Sequence, residues 1–316
     1  MKKYFDSIPD KGPIDPRDAF AGGRTQAFCL YSKISENSEI NIADIVSLYP
    51  SVNYFTPYPV KTPKIIIPKS QDVLWQCPED IPYDGLLKVR AIPPKKLAIP
   101  LLPYHYDSIL FFTNCSKCCQ RAKSNFVFMK NVKKCNHSDS ERGLHGVFTS
   151  IELKLAMELG YKIDKFYRAY HFEEFDSDLF KGYVRKFLKL KVESSGWPPN
   201  LTNDEEKQHF ISEYKRIFNI KLDQNNIKPN AGMRYIAKLL LNSLWGKFGM
   251  RNKLSKNKII SQPSEYFELL FDHKIVLSKP VILNNDAIRV IYREKNEFVK
   301  PHSVSNIIIA LWYNIL

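Results

Sequence analysis

Residues 230–250, NAGMRYIAKLLLNSLWGKFGM, admit one regular local structure, and everything else in the chain has to accommodate it. At about 100° per residue, Met233, Ile236, Ala237, Leu240, Leu241, Leu244 and Phe248 share one broad arc. Arg234, Lys238, Asn242 and Trp245 fall within roughly 80° of each other on the same wheel. The spacing therefore predicts a helix with a core face and a basic, polar and aromatic face. Asn230 is the expected N-cap and Gly249 the expected stop after the last turn. Between Lys228 and Lys258 there are eight Lys or Arg and no Asp or Glu. Such a face attracts phosphate, although a merely solvated basic surface has the same composition.

The polar face carries the string Lys238-x3-Asn242-Ser243-x-Trp245-Gly246-Lys247-Phe248-Gly249. It resembles the nucleotide-binding fingers motif of family B DNA polymerases, in the protein-primed branch of organellar, viral and Maverick/Polinton-type enzymes. Trp245 stands where that family usually has Tyr, which keeps the aromatic plane and loses the phenol hydroxyl.

A second string, Asp44-Ile45-Val46-Ser47-Leu48-Tyr49-Pro50-Ser51, lies where a predicted strand, Ile40 to Ile45, runs into a turn and a short helix. By residue chemistry alone, a carboxylate at such a strand end is either a ligand for a hard cation or a helix cap or loop ion pair. The string resembles polymerase motif A position by position. That resemblance implies that Asp44 binds two catalytic magnesium ions and that the backbone around Ser47 and Leu48 touches the triphosphate. Tyr49 is then expected under the sugar, where its ring blocks a 2′-hydroxyl. Lys238, with Arg234 and Lys191, is expected to neutralise the phosphates, while Asn242 and Trp245 position the base pair. Phe20-Ala21-Gly22-Gly23-Arg24-Thr25 is a plain turn on its own, but its glycines permit close backbone approach. It is similar, with Phe for Tyr, to the family's template-touching Tyr-x-Gly-Gly element. Gly22, Gly23, Arg24 and Lys247 are thus the expected DNA contacts.

Composition sets outer bounds. A chain of 316 residues, 44% hydrophobic, buries one large core or two smaller ones. A net charge of +14 points to an anionic partner, as it does for ribosome-associated and membrane-surface proteins. Six clustered cysteines are too few for a secreted disulfide framework, so an intracellular, reducing setting is expected, whether nuclear, cytoplasmic or organellar. No apolar run reaches the ~18 residues of a membrane span, and the first residues lack a signal-peptide core.

Along the chain, strands are predicted at 27–31, 40–45, 65–67, 86–92, 96–101, 161–172, 258–261, 274–277, 281–283 and 287–292. Helices are predicted from a Thr149 or Ser150 cap to Leu159, with Gly160 as the stop, and at 178–193 and 204–218. Cys115 and Cys118 have the spacing of a metal hairpin, and Cys135 and His137, after sixteen intervening residues, could complete a Cys3His set. These four are either a structural zinc site, free buried thiols, or the remnant of a site that once bound metal.

The resemblance implies an α+β fold: a right-hand polymerase palm with helical fingers, lacking the thumb and the palm strand that carries the second carboxylate. Its expected parts are a linker (1–19), a first palm segment with motif A (20–68) and an insertion with the Cys/His cluster that is a candidate terminal-protein region (69–147). A palm helix and strand (148–175), fingers (176–250) and a second palm segment (251–316) follow. The family's Thr-x-x-Ala/Gly-Arg and Asp-Thr-Asp elements are not in the sequence. Asp176-Ser177-Asp178 precedes a helix, where such residues serve as caps. The expected function is DNA-directed DNA polymerisation in replication, with magnesium, DNA template and primer, deoxynucleoside triphosphates, a terminal protein and no membrane. The alternative is a catalytically silent DNA- or primer-protein-binding module.

Overall fold

The computed structural model describes residues 13–21, 24, 27, 29–34, 38–45, 47–124, 135–251, 253–295 and 297, without the side chains of residues 122–124 and 245. Its main sheet is antiparallel and ordered β2 (Lys64–Ile66), β8 (Lys162–His171), β4 (Gly85–Ile92), β7 (Leu144–Thr149), with β3 (Asp72–Trp75) against the other end of β8. Alternation in β4 sends Leu87, Val89 and Ala91 to one face and Leu86 to the other. On β8 the residues of that first face are Ile163, Phe166 and Ala169, three apart. Register shifts at Lys88/Val89 and Arg90/Ala91 explain the spacing, since each leaves one extra β8 residue unpaired and turns the strand over.

Helix α4 (Ser150–Glu158) covers the first face with Leu153, Ala156 and Met157. It starts with a capping box in which the Thr149 side chain accepts from the Glu152 amide and the Glu152 carboxylate accepts from Thr149. Gly160, at φ +89°, follows its end, as the sequence predicts. The hairpin β5 (Pro103–Tyr106) and β6 (Ile109–Phe112) adds Tyr104 to the same core. The opposite face packs Leu86, Val147, Tyr170 and Phe172 on Ile14 and Ala19. Segments 69–147 and 148–175 therefore contribute strands to one sheet.

A second core is helical. It joins α1 (Leu48–Phe55), α5 (Lys181–Glu193), α6 (Asp204–Phe218) and α7 (Ala231–Gly249) through Tyr54, Val184, Leu188, Val192 and Leu241. Tyr183 donates its hydroxyl to the Leu240 carbonyl at 2.9 Å, tying α5 to α7. Tyr58 and Phe180 link this layer to the sheet side, packed by Val52, Ile151, Leu244 and Phe248. They flank the short pair β1 (Tyr58–Pro59) and β9 (Phe175–Asp176). Beyond α7, β13 (Ala287–Glu294) pairs with β10 (Lys256–Ile260), β11 (Ile275–Leu277) and β12 (Val281–Asn284), and α8 (Pro263–Phe271) connects β10 to β11.

Several expectations are corrected. The described residues of 27–31 and 40–45 form no strand, and Leu30 and Ile42 are 95% and 96% exposed. Alternation marks a chain suited to pairing, but a strand exists only where a partner ladder takes up its backbone groups, and no described segment does so here. Residues 96–101 turn instead of pairing, because Pro94 just before them and Pro100 within them remove ladder donors. Helix α5 starts at Lys181 rather than residue 178; Asp178 sits before it in an ion pair with Lys181 at 2.7 Å. In α7, Met233 and Ile236 are exposed, so the buried stripe narrows to Ala237, Leu241, Leu244 and Phe248. Asn230 caps α7 by accepting from the Met233 amide at 3.0 Å, as the sequence predicts, but Gly249 is its last helical residue and not the position after it.

Leu241 is 2% exposed and Leu239 is 52% exposed on the same helix. Leu241→Ala should lower unfolding free energy by ~2–5 kcal/mol and Leu239→Ala by about 0.5 kcal/mol or less. Equal losses for the two variants in denaturant titrations would refute this packing of α7.

Candidate active site

The site forms where three backbone elements meet. The irregular segment 38–45 carries Asp44, and Ser47 then takes a left-handed conformation, φ 58°, to turn the chain into α1. Ser51 closes that turn, its amide and hydroxyl both donating to the Ser47 carbonyl at 3.1 and 3.0 Å. Helix α7 presents Arg234, Lys238 and Asn242, one helical turn apart, on the face flanking its Ala237 and Leu241 stripe. Helix α5 brings Lys191 from the other wall, its ammonium donating to the Ser47 hydroxyl at 3.2 Å.

These residues line one cleft of about 700 Å³: Ala43, Asp44, Ile45, Ser47, Leu48, Tyr49, Lys191, Arg234, Lys238 and Asn242. The volume suits a ligand the size of a nucleoside triphosphate. Three cations and one carboxylate give its lining an excess of positive charge. The repulsion is felt: burial, then Lys238 and Arg234, hold the Lys191 ammonium below its usual pKa. An anionic ligand would relieve that strain, because each phosphate oxygen placed among the three cations replaces repulsion with charge-assisted hydrogen bonds.

Eight of the residues expected from the two motif strings and α5 thus share one surface: Asp44, Ser47, Leu48, Tyr49, Lys191, Arg234, Lys238 and Asn242. Trp245 lies on the same helix, with its side chain outside the described set. Lys247 is exposed near the end of α7 and is not part of the lining. Gly22 and Gly23 lie outside the described residues. Arg24 donates to the Pro100 carbonyl at 2.9 Å and lies over the Phe112 ring. Among the described lining residues Asp44 is the single carboxylate. Asp176 accepts from the Asp178 amide, while Glu173 and Glu174 pair with Lys64 and Lys61, so these acids are engaged elsewhere.

The four cysteine and histidine candidates converge away from the cleft lining: the ligand atoms of Cys115, Cys118, Cys135 and His137 lie within 4.8 Å of one another.

The motif strings missed Tyr54. Its hydroxyl donates to the Phe218 carbonyl at 2.7 Å, and Arg185 donates to the same carbonyl at 3.0 Å. This contact fixes α1, and with it Ser47 and Asp44, to α5 and α6. Its only sequence signal is a spacing of one helical turn from Pro50, which does not separate a positioning tyrosine from ordinary core.

A family model described as DNA polymerase type B, organellar and viral, matches residues 15–201 and 202–309. The chain belongs to this family. No curated protein and no solved structure matches it. For a type B DNA polymerase the family assigns nucleotidyl transfer, with DNA and nucleotides as substrates and divalent metals in general use. The mixed α and β architecture is compatible with that assignment, and among the described residues no helix is long and apolar enough to cross a membrane.

Removing the Lys238 charge should raise the Lys191 pKa, since one of the repulsive neighbours disappears. Side-chain nitrogen NMR of Lys191 in Lys238→Ala checks this; an unchanged titration would show that the two ammoniums do not share the cleft.

Proposed function

We propose that this polymerase adds deoxynucleotides to a primer 3′-hydroxyl, or to the hydroxyl of a terminal protein, at the cleft between Asp44 and Lys238. The observation that carries the reading is the meeting of that carboxylate and that lysine-bearing helical face across one space of triphosphate size. Arg234, Lys238 and Lys191 hold the incoming phosphates, with Lys191 anchored by Ser47. Tyr49 forms the floor under the sugar and excludes a 2′-hydroxyl, while Asn242 and Trp245 position the base pair. Gly22, Gly23, Arg24 and Lys247 track the DNA backbone, and a helical fingers layer (176–250) folds over a palm built on the main sheet.

The donor set of the cleft fits one Mg2+ ion: Asp44 and the Ser47 hydroxyl offer oxygens, and magnesium commonly completes its shell with substrate phosphates and water. Bound there, it supplies charge neutralisation for phosphoryl transfer. A second ion does not fit, because one carboxylate leaves two dications badly compensated and the described lining offers no other. That same observation favours a second reading, a DNA- or primer-protein-binding module without turnover.

Primer extension with magnesium and all four deoxynucleotides separates the two. On the first reading, Asp44→Ala lowers incorporation by about 10³-fold or more, and Lys238→Ala lowers kcat/KM by about 10²-fold. DNA binding that persists with no incorporation by the unaltered protein would establish the second. Tyr49→Ala should raise ribonucleotide use relative to deoxynucleotide by about 10–100-fold; unchanged sugar selectivity would remove Tyr49 from the sugar site.

A further inference from the structure

Cys115 sits just before α2 (Ser116–Ser124), Cys118 lies in its first turn, and Cys135 and His137 precede the short helix α3 (Asp139–Arg142). His137 aims one atom at all three sulfurs: Nδ1 is 3.3 Å from Cys115 Sγ, 3.4 Å from Cys118 Sγ and 3.5 Å from Cys135 Sγ. A single hydrogen on Nδ1 cannot serve three sulfurs, and a lone pair accepts one thiol well. A tetrahedral zinc with bonds of about 2.3 Å to sulfur and about 2.0–2.1 Å to nitrogen has N···S edges of about 3.6 Å. The observed separations come within about 0.3 Å of those edges, and the convergence of three sulfurs on one nitrogen is the arrangement a shared ion produces.

An independent feature lies beside the cluster. Arg142 is 2% exposed, yet among the described residues the carboxylate it pairs with, Asp139, is 3.6 Å away and largely in solvent. One guanidinium nitrogen donates to the Pro93 carbonyl, and Nε is buried without a partner. A buried cation needs a buried counter-charge. Three thiolates and a neutral imidazole around Zn2+ carry a net charge of −1.

The geometry points to a structural Zn2+ site formed by Cys115 Sγ, Cys118 Sγ, Cys135 Sγ and His137 Nδ1, with Arg142 as its buried counter-ion. Four protein ligands leave no open position, so the site takes no part in turnover. It clasps the start of α2 to the segment that leads through α3 into β7. Around the clasp, Ser116 donates to the Glu141 carbonyl at 3.1 Å, Gln120 to the Tyr104 hydroxyl at 3.2 Å, and Cys119 enters the sheet core. The ion thereby seats the β5–β6 hairpin on the sheet. None of this depends on the polymerase reading.

Elemental analysis of the full chain, purified under thiol reductant from zinc-supplemented cells, should find one zinc per chain. Cys135→Ser and His137→Ala should each lose it, while Cys29→Ser and Cys119→Ala keep it. If a ligand variant does not fold, the unaltered protein decides: stripping zinc with a chelator should lower its Tm, and Co2+ refilling should give the visible bands of a tetrahedral thiolate complex. A folded, reduced protein without stoichiometric zinc, whose six cysteines all react with a thiol reagent under native conditions, would overturn the site. So would zinc retained by both ligand variants.

Discussion

Three positive side chains from two helices are held around one space, and apolar packing on the adjoining faces of those helices keeps them there. Leu188 and Val192 of α5 and Leu241 of α7 belong to one buried cluster, so the helices cannot draw apart to relieve the repulsion among Lys191, Arg234 and Lys238. Stability from burial is thus converted into a standing demand for anionic ligand. The same packing explains why α1 is pinned as firmly as it is: Tyr54 and Arg185 converge on one carbonyl of α6, which sets where the turn at Ser47 places Asp44.

One face of this surface was legible from spacing because it lies on a helix, where neighbours in space are neighbours in number; Asp44 to Tyr49 and Lys191 joined it only through the resemblance to the family's motifs. Arg234, Lys238 and Asn242 follow from a period of four alone. Other features have no local cause. Ile40 to Ile45 alternates well enough for a strand, yet pairing needs a second segment that short-range patterns do not supply. The helical wheel assigned Met233 and Ile236 to the core, but which part of a broad apolar arc is covered depends on the neighbours, and α5 and α1 cover only the middle and the later turns of α7. The spacing of three along β8 is invisible in the sequence too, because the strand turns over wherever a residue is squeezed out of the ladder.

The Cys/His cluster lies between these extremes. Its first two members are readable from hairpin spacing, and the other two only as a possible completion. What the sequence could not reveal is that Arg142 is buried beside them, since an arginine seven residues after a cysteine is ordinarily a surface residue. The clasp and the cleft lie in different parts of the fold, one on the hairpin side of the sheet and one among the helices, so each has its own physical basis.

Strand β8 is the shared partner of β2, β3 and β4, joining Gly85 to His171 and Ile92 to Lys162. On a ribosome those earlier strands emerge well before the residues that complete them. Until His171 has left the exit tunnel, the edges that face β8 stay open to any passing extended chain. Slow codons placed before β8 would lengthen that interval.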